Sequence, residues 1–387
     1  MPDFADYYRE IYALGLGGQV PSVPVAVAEL EARAREAMDE KAANYVFAGA
    51  GAEGTMRANR EALDRCRIVP RMLRDVAARD LSTEVLGTAM PAPLMLAPIG
   101  VQRTVHKDGE LATARAAAAL GVPMIASTAS AFTLEEIAAA GGEAPRWFQL
   151  YWPNDPELLK SFVARAEAAG YGAIVVTVDT FIPGWKPRDL QQAWLPFLEG
   201  MGNANYFQDP VFRAGLEKPP EEDQGTATGQ YLGVLANPSL TWDDLTLLRE
   251  LTSLPILLKG IQHVEDAREA ARRGVDGIVV SNHGGRQVDG AIASLDALAP
   301  ITEAVGDELA ILFDSGIRSG ADAIKALALG ADAVCIGRPY VWGLALEGQA
   351  GVETVLKMLL AELDLTMALC GYTRPDQLGP GALAMSP

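Results

Sequence analysis

The sequence is poor in cysteine and histidine and has no long apolar run. Its three cysteines, Cys66, Cys335 and Cys370, are odd in number and widely spaced, which excludes a disulfide framework and a zinc knuckle and predicts a reducing compartment. Residues 1–9 lack the basic start and apolar core of a signal peptide, so no export is expected. The most apolar runs are far shorter than the roughly 20 residues of a membrane helix. We therefore expect a cytoplasmic protein with no membrane contact.

Positive charge is also scarce, since 32 lysines and arginines face 50 aspartates and glutamates and give a formal net charge of −18. That balance argues against nucleic acid as a partner. The composition, 49% hydrophobic and 21% charged, is that of an ordinary globular protein. A chain of 387 residues buries enough surface to form a large core without disulfides or a structural metal.

Short runs rich in valine, isoleucine and leucine alternate with alanine-rich amphipathic stretches from Pro93 onward. This alternation is typical of βα units around a parallel sheet. Eight such runs begin near Leu94, Pro123, Trp147, Ile174, Pro255, Ile278, Ala310 and Ala333. The predicted fold class is therefore α/β, a (β/α)8 TIM barrel over residues 91–350.

The remaining segments complete a single predicted domain over residues 1–387. We expect residues 1–90 to form an N-terminal helical cap with helices near 26–40 and 55–64. Between the fourth and fifth runs, an insertion at about 180–239 is rich in glycine, proline and acids and shows no periodicity, which predicts an irregular lid. After the barrel we expect a helix at 351–368 and a weakly ordered tail at 373–387.

Polar or glycine-rich residues follow every predicted strand. The C-terminal ends of barrel strands meet on one face, so these residues predict a single site there. In chain order they are Pro98, Ile99, Gly100, Ser127, Gln149, Tyr151, Thr177, Asp179, Lys259, Ser281, His283, Arg286, Asp314, Gly316, Gly337 and Arg338.

The loops after the seventh and eighth strands predict a phosphate site. They contain Gly316, Arg318, Gly320, Gly337 and Arg338. Glycine lets backbone N–H groups approach a phosphate closely, and the arginine fork matches phosphate oxygens. The alternative is that the glycines serve only the turns.

Histidine is the usual general base near neutral pH, and the sequence offers only His106, His263 and His283. His283 lies in Ser-Asn-His-Gly-Gly-Arg after the sixth run and is the best candidate, although a loop histidine can also be structural. His106 and His263 stand beside predicted helices and are interpreted as turn or cap residues. No two histidines have metal-ligand spacing, so no metal is expected.

Three further charged residues have two interpretations each. Lys259 ends an apolar strand and needs an anionic partner, or it is the Schiff-base lysine of a lyase. Asp179 is a solvated carboxylate, or it orients His283 and stabilises its charged form. Arg188 precedes Asp189, and the residues alone favour a surface ion pair between them.

The chain resembles the FMN-dependent α-hydroxy acid oxidases and dehydrogenases in APIG, FQLYWPND, VVTVDT, ILLKG, VVSNHGGRQVDG and DSGIRSGADAIKALALGADAVCIGRP. The likeness covers nearly the whole chain, including the segment from Tyr45 through AGAGAEGTMRANREAL. Within the family it is strongest to the lactate 2-monooxygenases, in DYYREIYALGL, GWKPRDL, NANYFQDPVF and KGIQH.

The resemblance implies FMN as the cofactor and a small L-2-hydroxy acid as the substrate. His283 would take a proton from the substrate as two electrons pass to the flavin, and Asp179 would stabilise the protonated imidazole. Tyr45 and Tyr151 would hydrogen-bond the substrate, and the implied carboxylate-binding residues are Arg188 and Arg286.

The resemblance also implies a set of cofactor-binding residues. Lys259 would stabilise the reduced flavin ring by its charge. The other implied FMN contacts are Pro98, Ile99, Gly100, Ser127, Gln149, Thr177, Ser281, Asp314, Gly316, Arg318, Gly337 and Arg338.

The subfamily likeness implies that L-lactate and O₂ give acetate, CO₂ and water, because pyruvate and peroxide are retained together. Gly100 favours this outcome, since other members often have alanine there and glycine leaves space near the flavin. The alternative is an oxidase that releases the 2-keto acid and H₂O₂, and the lid sequence at 213–236, which departs from the monooxygenase pattern, keeps it open. A homo-oligomer, tetrameric or octameric, is also implied.

Two other classes remain alternatives. A phosphate-binding barrel lyase would use Lys259 covalently, without flavin. A non-catalytic binding barrel would leave every property unchanged in a His283→Gln variant.

Overall fold

Four helices and three short strands precede the barrel in the computed structural model, which describes residues 4–385. They are α1 (Asp6–Leu16), α2 (Val27–Ala37), α3 (Glu40–Phe47), α4 (Gly54–Arg65), β1 (Cys66–Ile68), β2 (Thr83–Val85) and β3 (Thr88–Met90). The helices predicted at 26–40 and 55–64 correspond to α2 and α4, and residues 1–3 of the predicted cap lie outside the described residues. The short helix α3 was not predicted; Asp39 caps it by accepting a hydrogen bond from the Ala42 amide at 2.8 Å.

Eight parallel strands close into a barrel, which confirms the predicted fold class. Each strand pairs with the next along the chain, and pairing of Val334 with Leu94 joins the last strand to the first. The strands are β4 (Leu94–Leu96), β5 (Met124–Ser127), β6 (Arg146–Leu150), β7 (Ile174–Thr177), β8 (Ile256–Ile261), β9 (Gly277–Val280), β10 (Ala310–Phe313) and β11 (Ala333–Ile336).

Helices surround the barrel, and a helical lid follows β7. Before the lid come α5 (Gly109–Leu120), α6 (Leu134–Gly141) and α7 (Pro156–Ala168). The lid contains α8 (Pro187–Gln191), α9 (Ala204–Phe207), α10 (Pro210–Ala214) and α11 (Gln224–Leu235). After it come α12 (Leu245–Leu251), α13 (Val264–Arg272), α14 (Ser294–Val305), α15 (Gly320–Ala328) and α16 (Arg338–Leu369).

The prediction of an irregular lid was wrong for α11. This helix contains three glycines, and its apolar residues do not follow a helical period in the sequence. The helix is held instead by its cap, where Asp223 accepts a hydrogen bond from the Thr226 amide at 3.1 Å, and by fully buried Tyr231. Tyr231 stacks edge-on with Tyr206 at 4.7 Å between ring centroids, so the lid has an aromatic core of its own.

The helix predicted at 351–368 is the second half of the longer α16. The helix is kinked at Glu347 and Gly348, where φ of Gly348 is +59°. A Cβ at Gly348 would lie 2.8 Å from Nε2 of His106, so the kink depends on glycine.

The C-terminal tail is more ordered than predicted up to residue 385. Its strand β12 (Leu383–Met385) pairs antiparallel with β1, with Ile68 opposite Leu383. Backbone hydrogen bonds therefore tie this tail to the N-terminal segment. Residues 386–387 of the predicted tail lie outside the described residues.

The barrel interior is a packed core rather than a channel. Its inward side chains include buried Met95, Ile125, Trp147 and Val175. Trp147, near the start of β6, donates a hydrogen bond from Nε1 to Thr88 Oγ1 at 2.9 Å, so the β2–β3 hairpin closes the N-terminal end of the barrel. Any ligand site must lie at the opposite end. Across residues 4–385, none of the helices combines the length and apolar character needed to cross a membrane.

Candidate active site

Two adjoining cavities lie at the C-terminal ends of the barrel strands. The first, which we name the barrel cavity, is lined by Lys259 of β8, by the start of α16 and by the loops after β4, β10 and β11. These lining residues include Pro98, Ile99, Lys259, Asp314, Gly316, Arg318, Gly337 and Arg338. The second, the lid cavity, lies between Ser127 of β5 and lid residues such as Lys186 and Phe197. The residues that line both cavities are Tyr45, Gly100, Tyr151, His283 and Arg286. Ligands in the two cavities would meet at these residues.

A histidine–aspartate pair stands at this junction. Asp179 Oδ1 lies 2.9 Å from His283 Nδ1. Burial acts to raise the pKa of the Asp179 carboxyl, but His283 and Lys259 outweigh it and hold that pKa below its ordinary value. Asp179 therefore stays ionised and fixes Nδ1 as the donor, which leaves Nε2 of His283 to accept a proton.

The backbone around His283 is held in an uncommon conformation. His283 has φ of +58°, a left-handed value that few residues other than glycine adopt. Its amide donates to Ser281 Oγ at 3.0 Å, and the neighbouring Asn282 exchanges side-chain hydrogen bonds with Asn59 of α4 at 2.8 and 2.7 Å. The N-terminal segment thus fixes the loop that presents His283.

Lys259 is buried between two oxygen partners. Its Nζ lies 3.1 Å from Asp314 Oδ2 and 2.9 Å from Ser281 Oγ. Burial acts to lower the pKa of Lys259, but Asp314 and Asp179 outweigh it and raise that pKa above its ordinary value. The predicted anionic partner is therefore present, and a protonated lysine is a poor Schiff-base nucleophile.

Two partly buried arginines, Arg318 and Arg338, give the barrel cavity a cationic end. Arg338 donates to the carbonyls of Val46 and Ala48, both at 3.0 Å, and Arg318 to that of Ile317 at 2.9 Å. Within residues 4–385, neither guanidinium has a carboxylate at ion-pair distance. Burial lowers the pKa of Arg318 to about 10. Burial also lowers the pKa of Arg338, and repulsion from Arg286 and Arg318 adds to this effect, so that this pKa falls to about 9. A bound phosphate would give these guanidinium groups the close anionic partner that they lack.

The end of α3 supplies carbonyl groups to the arginines. Arg286 donates to the carbonyls of Tyr45 at 2.7 Å and Ala48 at 2.8 Å, and its guanidinium lies 5.1 Å from the centre of the Tyr45 ring. Cations are stabilised at helix C-termini and over aromatic faces. This helix, absent from the sequence prediction, therefore places Tyr45 against Arg286.

Arg188 lines neither cavity in this structure, so its contact with the substrate stays a prediction. Its Nη2 lies 2.7 Å from Glu53 Oε2, so it joins the lid to the N-terminal segment. The expected surface partner Asp189 is instead buried, and within the described residues neither of its carboxylate oxygens has a hydrogen-bond partner.

Lys186, two residues earlier, lines the lid cavity with Arg286. Burial and the neighbouring Arg286 lower the pKa of Lys186 to about 8, against the attraction of Asp189. The start of α8 explains why Lys186 lines the cavity and Arg188 does not. Pro187 is the first residue of this helix, so Lys186 lies just before it and Arg188 lies within it. The sequence GWKPRDL contained both cations but no signal to choose between them.

Gly100 has a packing reason of its own. A Cβ at this position would lie 2.2 Å from the Ala129 carbonyl oxygen, a contact that no backbone tolerates without moving. The next amide, of Val101, donates to the same oxygen at 2.9 Å. The glycine therefore permits close packing of the loops after β4 and β5. Because packing alone explains it, Gly100 is weak evidence for a monooxygenase over an oxidase.

The polar ends of β5, β6 and β7 form a chain of hydrogen bonds behind the cavities. Ser127 donates to Gln149 Oε1 at 3.0 Å, and Gln149 Nε2 donates to Thr177 Oγ1 at 2.9 Å. Only Ser127 reaches a cavity wall, and Gln149, Thr177 and Ser281 are buried next to the lining residues.

The other histidines lie outside the site. His263 caps α13 by accepting from the Glu265 amide at 3.1 Å, and His106 accepts from the Asp108 amide at 3.2 Å. Among residues 4–385 there is no group of three or more histidine, cysteine or acidic side chains arranged to hold a metal.

Comparison with known proteins shows the family to which the chain belongs. Residues 34–385 match the family model of the FMN-dependent dehydrogenases. An L-lactate oxidase from Lysinibacillus sphaericus is 48% identical over 355 residues, which cover 92% of this chain and 91% of that protein. The human 2-hydroxyacid oxidase 1 is 44% identical, with 90% of this chain and 93% of that protein covered. A solved structure of mandelate oxidase superimposes with a TM-score of 0.83 at 40% identity, covering 93% of this chain and 98% of that one. The chain therefore belongs to the FMN-dependent dehydrogenase family.

Proposed function

We propose that this FMN-dependent oxidoreductase converts (S)-2-hydroxy acids and O₂ into 2-keto acids and H₂O₂. The observation that carries the proposal is the His283–Asp179 pair at the junction of two cavities, with cationic side chains on both sides. One cavity suits an anionic cofactor and the other a small carboxylic acid. L-lactate oxidase and 2-hydroxyacid oxidase among the relatives support an oxidase.

The barrel cavity fits FMN by the chemistry of its donors. Arg318 and Arg338 line this cavity and have no carboxylate at ion-pair distance in the part of the chain that the structure describes, so they would hold the phosphate. The protonated Lys259, beside Asp314, would lie against the ring, where a fixed positive charge stabilises added electrons. Bound FMN supplies the two-electron acceptor, which no protein side chain here provides.

The lid cavity would orient the substrate by its carboxylate. Arg286 and Lys186 supply two positive charges, and Tyr45 and Tyr151 line the same cavity. Burial raises the pKa of both tyrosines, so they stay protonated and donate hydrogen bonds. These contacts would hold the reacting carbon at the junction, next to His283.

His283 would take the proton of the substrate hydroxyl on Nε2. The imidazolium that forms is positively charged and lies 2.9 Å from the ionised Asp179. Because the Asp179 side chain is only 14% exposed, its attraction is weakly screened by water, and it would stabilise the charged histidine as the proton arrives.

We place the oxidase before the predicted lactate 2-monooxygenase because of these oxidase relatives and because Gly100, the residue that favoured the monooxygenase, has a second explanation. Its close packing against Ala129 accounts for a glycine whatever the fate of the products. The monooxygenase remains the alternative that the experiment below decides. The cytoplasmic location and the homo-oligomer stay predictions from the sequence.

Aerobic turnover of the purified holoenzyme with (S)-lactate, catalase omitted, tests the proposal. O₂ consumption, pyruvate, H₂O₂ and acetate are measured together. Equal amounts of pyruvate and peroxide per O₂ are expected. Acetate and CO₂ without free peroxide would instead establish the monooxygenase.

A further inference from the structure

The lid cavity has one polar side and one apolar side. Tyr45, Tyr151, His283 and Arg286 lie where it meets the barrel cavity, and Lys186, which also lines the lid cavity, is close enough to Arg286 to feel its charge. The rest of its wall contains Leu195, Phe197, Leu232, Leu235 and Ala236, all from the lid. The reaction at His283 needs the polar side only, so the apolar side is available for the part of the substrate beyond the reacting carbon.

The cavity is larger than lactate needs. Its volume is about 230 Å³, and at about 30 Å³ per molecule in the liquid this corresponds to roughly seven or eight waters. Lactate carries a single methyl group beyond its reacting carbon, which leaves the lid wall in contact with water. Water held against apolar walls is readily displaced by an apolar group, with a gain in affinity.

The apolar wall is also firmly supported. Phe197 packs edge-on against Tyr231 at 5.4 Å between ring centroids, and Tyr231 packs against Tyr206, which in turn contacts Phe162 of α7 at 4.9 Å. Tyr206 and Tyr231 are fully buried. The wall is therefore part of a packed aromatic cluster that reaches the barrel helices, and its shape can select for side-chain size.

We propose that the preferred substrates are 2-hydroxy acids with an extended apolar side chain that packs against the lid wall of Leu195, Phe197, Leu232 and Leu235. The inference rests on the proposed 2-hydroxy acid oxidation and replaces the predicted preference for lactate. Leu232 is 37% exposed, so the far end of the wall borders solvent. Each added methylene therefore raises the affinity only as long as it still contacts this wall.

The test compares (S)-lactate, (S)-2-hydroxybutanoate, (S)-2-hydroxyhexanoate and (S)-2-hydroxyoctanoate with the FMN-loaded protein. Because each buried methylene contributes about fourfold, kcat/KM is expected to rise by about 60-fold from lactate to 2-hydroxyhexanoate. Calorimetric titration of the oxidised holoenzyme with pyruvate and 2-oxohexanoate gives an independent readout, in which the longer keto acid binds more tightly.

A matched pair of lid variants locates the effect. Leu235→Trp fills the lid cavity and is expected to lower the ratio of kcat/KM for 2-hydroxyhexanoate over lactate by about tenfold or more. Leu198→Trp makes the same substitution at a 53% exposed lid residue outside the cavity wall and leaves the ratio unchanged. FMN content and thermal midpoint are measured for both variants.

The outcomes separate the two proposals. Flavin bleaching by every acid with equal efficiency, or with lactate preferred, overturns the apolar substrate class and leaves the oxidase intact. An unchanged substrate ratio in a folded Leu235→Trp variant also overturns it. Failure of all four acids to bleach the flavin overturns both proposals.

Discussion

The barrel cavity and the lid cavity share one wall but differ in what builds the rest. The barrel cavity is formed by strand ends and short loops, with the end of α3 bound to its arginines. The lid cavity takes most of its apolar wall from the insertion after β7. Strand ends are fixed by the closed hydrogen-bonded barrel, whereas the lid is held by its own aromatic cluster. Cofactor binding and proton transfer are thus placed on the rigid part, and substrate choice on the part that can vary without altering the barrel.

The largest loss of activity is expected from a substitution at the junction of the two cavities. His283→Gln removes the base and is expected to lower kcat by about 10³- to 10⁴-fold, at the upper end of general base catalysis. FMN content, measured by absorbance, stays the same because Arg318 and Arg338 are untouched. His263→Gln is the control, since that histidine caps α13 outside both cavities.

A substitution confined to the barrel cavity should separate cofactor binding from chemistry. Arg338→Met is expected to weaken FMN binding by about 10- to 100-fold, since hydrogen bonds between charged groups contribute this much. Fluorescence titration of the apoprotein with FMN measures the effect, and flavin reduction at saturating FMN changes little. Equal weakening by Arg33→Met, at an exposed arginine of α2, would contradict a specific phosphate site.

A substitution confined to the lid cavity should act on substrate binding. Lys186→Gln removes one of two cations near the substrate carboxylate and is expected to raise KM by about 10-fold or more. Arg188→Gln breaks a partly exposed ion pair with Glu53 and is expected to change KM by less than about threefold. Steady-state kinetics on the two variants decides between the cations, and the reverse order would restore the role predicted for Arg188.

The pH dependence tests the same charge without removing the lysine, and its effect cannot exceed that of Lys186→Gln. The pKa of Lys186 is lowered to about 8, so its positive charge is present at pH 7 and lost as the pH rises towards 9. Carboxylate binding then weakens, and kcat/KM is expected to fall by about tenfold relative to Lys186→Arg, whose charge persists. A constant ratio of the two proteins from pH 7 to 9 would show that Lys186 does not contact the substrate carboxylate.

The sequence predicted the barrel and its cofactor side more fully than the lid. Strand ends carry their polar residues directly after apolar runs, so Lys259, His283 and Asp314 could be placed on one face without a structure. The positions of Arg318 and Arg338 on this face followed from their loops in the same way. Local pattern and closed-barrel geometry were sufficient there.

The helices of the lid could not be predicted from the sequence because their stability does not come from periodic apolar residues. Helix α11 depends on the Asp223 cap and on burial of Tyr231 against Tyr206, contacts that a sequence pattern does not reveal. The choice between Lys186 and Arg188 depends on where α8 begins, a difference of two residues that is smaller than the usual error in a predicted boundary. Similarly, the paired asparagines Asn59 and Asn282 are far apart in sequence, and only the fold brings them together.

Anaerobic mixing of the FMN-loaded protein with (S)- and (R)-2-hydroxy acids tests the central claim most directly. Lactate and 2-hydroxyhexanoate are followed at the flavin absorbance band, and the keto acid formed is quantified. We expect that only the (S) acids bleach the flavin, with one keto acid formed for each FMN. A protein that stays oxidised, or one that borohydride traps as a covalent adduct at Lys259, would contradict it.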